Sequence, residues 1–184
     1  MKFNNKSLGM VLVASMSLFA MERQQPQIPT RSLPAHPFKS TAQEPTKAEI
    51  DALFVAIRSN NAAQVADLLN KSANAEKLAN AHDKAGIAAL REAATAGNAA
   101  IIKSLIQAGA DPNASDSYNM SPLMLAVLQG HKDAAIWLVK LGANVNAKDK
   151  SGQSVLQLVQ FGGRTNAAQK EELTKMLKEA GATQ

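Results

Sequence analysis

One register recurs along this chain. Asp83, Asp116 and Asp149 are 33 residues apart, as are Leu90, Leu123 and Leu156, and as are Gly97, Gly130 and Gly163. Gly109 and Gly142 keep the same interval. A fixed period of this length, with acidic, apolar and glycine positions in phase, restricts the fold to a linear stack of like units, because each unit exposes an apolar face that only its neighbours can cover. The composition says what the units are made of. Aromatic residues form 4% of the 184 residues while alanines number 34, which suits helices packed closely through small side chains and not a β sandwich built on large ones. The fold class expected is all-α, a solenoid of about four repeats.

Each recurring residue has a local reason to be where it is. Ser121 can accept from a free backbone N–H at the start of a helix, and Pro122 then stands where its missing N–H costs nothing. Gly97 and Gly130 end the first helices and Gly109 and Gly142 the second, positions that call for a left-handed residue. Leu90, Ala93, Ile102 and Leu105, with Leu123, Ala126, Ala135 and Leu138 one period on, form the inward stripes. A degenerate unit precedes these from Ile50. Leu53 lies 37 residues before Leu90, so four extra residues are expected in its outgoing loop, near 74–82. The last unit has 18 residues from Gly163 to Gly181 where the middle ones have 12, so six residues are expected to be inserted between its helices, around 164–170. Its final helix carries Lys170, Glu171, Lys175, Lys178 and Glu179 where another unit would dock, as a capping repeat does. The repeats run over 47–82, 83–115, 116–148 and 149–184, within a domain at 46–184.

The period, the Ser121-Pro122-Leu123 and Gly130-His131 pairings, and the GADPNA and GANVNA endings at 109–114 and 142–147 together resemble the ankyrin repeat. Where that pattern has a histidine after the leucine, this chain has Arg91, Met124 and Gln157, so the local hydrogen bonding is expected to differ. The resemblance implies a solenoid of helix-turn-helix repeats with hairpin turns, and a protein-binding module that uses its hairpin tips and the exposed flank of its first helices. Those positions are Lys84, Ala85, Ile87 and Thr95 in the second repeat, Ser117, Tyr118, Met120, Leu128 and Gln129 in the third, and Lys150, Ser151, Gln153 and Phe161 in the fourth. Tyr118, Met120, Leu128 and Phe161 are expected to form one apolar strip, the kind of surface at which binding energy concentrates. For Phe161 the competing expectation is a ring tucked under the six-residue insertion. Trp137, beside Ala134 and Ala135, is expected to pack between repeats.

Reaction chemistry has little to stand on. The chain has no cysteine, which removes disulfides, thiolate nucleophiles and zinc-finger or iron–sulfur ligation. Its three histidines are scattered, and His131 sits at the position that the resemblance makes structural. Asp83, Asp116 and Asp149 begin hairpin turns, where a carboxylate accepts from nearby N–H groups, and they lie a repeat width apart, too far for joint acid–base work. No phosphate-binding glycine loop, zinc-protease helix, nucleophile elbow or calcium loop is present. The reading is a non-enzyme with no catalytic residue, metal or cofactor.

Residues 1–20 carry Lys2 and Lys6, then no charge from Leu8 to Ala20, the layout of a secretory signal peptide and too short an apolar run to span a bilayer. Residues 21–45 hold five of the seven prolines and read as a disordered, extended linker. The formal charge is +5, but residues 46–184 hold 15 basic and 13 acidic groups, so the repeats themselves are nearly neutral and nucleic acid is disfavoured. The expected molecule is a periplasmic or secreted monomer that binds another protein, with no membrane insertion after cleavage of the leader. Supporting a periplasmic enzyme, neutralising a toxin as an immunity protein, or acting on a host are the roles such a module would fill.

Overall fold

The computed structural model describes residues 44–162 and 164–183. The expected leader at 1–20, the linker up to residue 43 and Gly163 lie outside them. The described chain is helical, its only strand-like features being the isolated bridges His82 to Ala88 and Lys148 to Ser154 at the base of two hairpins. In chain order the helices are α1 (Lys47–Arg58), α2 (Ala62–Lys71), α3 (Ala75–Ala79), α4 (Ala89–Ala96), α5 (Ala99–Gln107), α6 (Pro122–Gln129), α7 (Lys132–Lys140), α8 (Val155–Gln157) and α9 (Ala167–Glu179). Inner helices α1, α4, α6 and α8 alternate with outer helices α2, α5, α7 and α9.

Helix boundaries follow from side chains that satisfy otherwise unpaired backbone groups. Ser121 accepts from the Met124 N–H with Pro122 in the first turn, Asn98 accepts from Ala100 and Ile101, and Thr46, Ser154 and Asn166 each form a two-way box with the residue three places on. Gly97 and Gly130 close α4 and α6 at φ 74° and 81°. One core runs through all four repeats: Leu53, Leu90, Leu123 and Leu156 of the inner helices are buried together with Ile102, Leu105, Leu138, Leu173 and Leu177 of the outer ones.

Three asparagines, also 33 residues apart, join successive units. The Asn80 amide donates to the Gly109 carbonyl (2.8 Å) and accepts from the Asp111 N–H (3.1 Å). Asn113 does the same to Gly142 (3.4 Å) and Asn144 (2.7 Å), and Asn146 to Gly181 (3.1 Å) and Thr183 (2.7 Å). Each amide thus caps a carbonyl left open at the end of the next unit's outer helix and fixes the chain that leaves it.

The two irregular units absorb their extra residues as helix. In the first, the surplus folds as α3, inside the window expected for it, and returns Asn80 to the register of Asn113. In the last, the sequence expectation is corrected: α9 has 13 residues against 9 in α7, so four of the six lengthen the helix by about one turn. Only Thr165 and Asn166 remain to lengthen the connection. After its first turn, α8 widens into a π-turn over Leu158–Gly162.

Candidate functional site

The hairpins stand at the ends of the inner helices and set one edge of the inner-helix side. In each, an aspartate oxygen accepts two backbone N–H groups: Asp83 from Ala85 and Ile87, Asp116 from Tyr118 and Met120, Asp149 from Ser151 and Gln153, all at 2.8 or 2.9 Å. The three carboxylates are therefore turn residues. Bonding from the Ile87 N–H first, then from Arg58 and Ala85, holds Asp83 below the usual carboxylate range, and the Ser151 hydroxyl followed by the Gln153 N–H does so for Asp149. The tip of the third-repeat hairpin turns on Asn119 at φ 59°, where the neighbouring hairpins have Gly86 and Gly152. Asparagine tolerates that conformation. Adjacent tips also touch, since the Lys150 N–H donates to the Tyr118 carbonyl (3.0 Å) and the Asn119 amide to the Lys148 carbonyl.

Behind the tips lies an arginine ladder. Arg58 pairs with Asp83 (2.6 Å) and Glu92 (3.1 Å) and lies over the Phe54 ring, while Arg91 pairs with Asp116 (3.3 Å). Both carboxylates joined to it at the hairpins are well covered, Asp83 at 13% and Asp116 at 11% side-chain exposure, so these charges are consumed internally.

His131 is structural. Its Nε2 lies 2.9 Å from the Thr95 carbonyl, which requires the proton on Nε2, and its ring rests on Gly97. One repeat on, the Arg164 backbone repeats that arrangement: its N–H donates to the Leu128 carbonyl (3.1 Å), and its carbonyl lies against Gly130.

Among the expected contact residues, Tyr118 and Phe161 are the most open large apolar side chains, 69% and 83% exposed. Lys84, Thr95, Ser117, Lys150, Ser151 and Gln153 are exposed as well. The continuous strip expected from the sequence is interrupted. Met120 is half-buried and packs against the core, and Leu128 is half-buried beneath Gly162 and the Arg164 backbone. Ile87 and Gln129 are half-buried too. Phe161 is not tucked under the insertion: it lies exposed in the π-turn, as Thr95 lies exposed at the equivalent place on α4. Val55 on α1, 61% exposed, is an apolar surface residue that the repeat register did not single out. Trp137 is half-buried with Lys103 of the preceding repeat 5.2 Å and Lys140 5.3 Å from its ring, a packing contact between repeats.

Among the described residues no group of three or more histidine or acidic side chains is set to hold a metal, and no helix is long and apolar enough to cross a membrane. The family described as Ankyrin repeats (3 copies) matches residues 53–149, more than half of the chain. The chain belongs to the ankyrin repeat family. No curated protein sequence matches it. The ankyrin match begins at Leu53 of the first inner helix and runs to Asp149 of the last hairpin, and the described helices continue the stack through α9. Ankyrin repeats are protein–protein interaction modules, and the fold of this chain is of that kind.

Proposed function

We propose that this ankyrin domain is exported and binds one protein partner on its concave side, centred on Tyr118 and Phe161. The observation that carries the reading is the exposure of these two aromatic rings at positions where the repeat needs neither: Ala85 and Ser151 occupy the site of Tyr118 in the flanking hairpins, and Thr95 occupies that of Phe161 in the second repeat. Aromatic side chains with large exposed area and little rotameric freedom are the usual anchors of an interface. Exposed polar groups of the hairpins flank Tyr118, with Ser117 next to it in the chain and the Lys150 N–H bonded to its carbonyl.

Export rests on the charge-free segment behind Lys2 and Lys6, and places the partner in the periplasm or outside the cell. Support of a periplasmic enzyme is the role proposed. Two measurements test the reading. N-terminal sequencing of the mature protein should begin near Met21, and intact Met1 recovered from cytosol alone contradicts export. The partner recovered with the tagged full chain should be lost on Tyr118→Ala at unchanged melting temperature, and equal recovery contradicts the concave site.

A further inference from the structure

The three hairpin arms, residues 80–88, 113–121 and 146–154, carry three aspartates and three lysines, and the structure treats the two signs differently. Every aspartate turns inward: each is bound by two N–H groups of its own turn, and Asp83 and Asp116 also by arginines of the inner helices. Every lysine points outward. Lys148 and Lys150 are exposed and make no ion pair among the described residues. Lys84 is 76% exposed and has only a long contact to Asp51 (3.8 Å), itself half exposed, the kind of pair that solvent screens almost completely. The outward charge of this edge is therefore positive although its formal charge is nil.

The pattern along the edge is specific. Lys84 and Lys150 hold the same position in the second and fourth repeats, and between them the third repeat has Ser117 followed by the exposed ring of Tyr118. From these observations we infer that the hairpin edge takes an extended acidic segment of the partner, with an apolar side chain on Tyr118 and a carboxylate on the lysine to each side. Two repeats at the usual helix spacing of 8–10 Å put the lysines roughly 16–20 Å apart. A chain extended at about 3.3 Å per residue covers that in five or six residues, so the acidic groups fall about three residues before and after the apolar one. Long-range attraction by the lysines brings such a segment in, and Tyr118 retains it.

This inference rests on the concave face being the binding site, and the test separates the two. Random peptides displayed on phage are selected against the full-length protein, and the binders are then measured against three forms of it: unaltered, Tyr118→Ala, and Lys84→Glu with Lys150→Glu. Selected sequences should be rich in Asp and Glu flanking an apolar residue, and should lose at least about tenfold in affinity to the charge-reversed form, with binding weakened by added salt. A Lys84→Gln and Lys150→Gln form supplies the same comparison should the charge-reversed protein fold poorly. Binders without acidic enrichment, binders indifferent to the lysines but lost on Tyr118→Ala, or no binders at all overturn the acidic segment. Binders indifferent to Tyr118 as well overturn the concave-site reading with it.

Discussion

The His131 ring occupies the space that a side chain on Gly97 would need: a Cβ there would lie 2.3 Å from His131 Cγ. Two repeats are locked by this contact and by the bond from Nε2 to the Thr95 carbonyl. Gly97→Ala combines that clash with a left-handed backbone at φ 74°, whereas Gly142→Ala at φ 95° meets nothing within 4 Å. Gly142→Ala should cost about 1–2 kcal/mol from the backbone alone, and Gly97→Ala more. Denaturant unfolding of the double variant Gly97→Ala with His131→Ala checks the cause, because the cost of the alanine at 97 should fall once the ring is gone.

Removing an interlocking asparagine should loosen the stack without touching the core. Asn113→Ala deletes one donated and one accepted bond to the next repeat and should cost roughly 1–3 kcal/mol. Asn70→Ala, at an exposed position on the outer helix α2, is the control and should stay within about 0.5 kcal/mol. Equal effects in urea titrations would mean that the amides carry no inter-repeat stability.

Core leucines set a larger scale. Leu123 and Leu138 have no exposed surface, so alanine at either should cost about 2–5 kcal/mol in chemical denaturation. Exposed Val55→Ala should be nearly neutral by the same measurement.

Acid should weaken the fold through the hairpins. Asp83 and Asp149 have folded pKa values below their unfolded ones, so the unfolded chain binds protons first as pH falls. Their contribution is fully present above the ordinary carboxylate value of about 3.9 and is lost as pH falls through the folded values. The melting temperature of the unaltered chain should drop over that range, and Asp149→Asn should flatten the drop. Parallel curves for the two proteins would show that Asp149 is not among the groups responsible.

Much of this architecture was legible in the residues. Leu90, Leu123 and Leu156 repeat at one interval because each fills the same place in the core, and the glycines repeat because each helix end needs the same backbone. Asn80, Asn113 and Asn146 carried the same signal and betray the interlocking amides. Other features depend on neighbours, not on register. Met120 looks like a surface residue from its place in the hairpin, yet it packs on the core, while Phe161 stays exposed as its register places it. Leu128 is half-buried because the last unit brings Gly162 against its side chain and the Arg164 N–H onto its carbonyl. The Arg58 to Asp83 pair escaped notice because the first unit is offset by 37 residues and its arginine stands one helical turn away from the place of Arg91.

On the function proposed, the face of the inner helices and hairpins, and not that of the outer helices, meets the partner. A photoreactive phenylalanine analogue placed at Tyr118 or Phe161 of the full chain, and separately at the convex residues Lys103 or Gln107, reports this directly in living cells. A covalent adduct to a single protein is expected from Tyr118 and Phe161 and none from Lys103 or Gln107. An adduct formed only from Lys103 or Gln107 would contradict it.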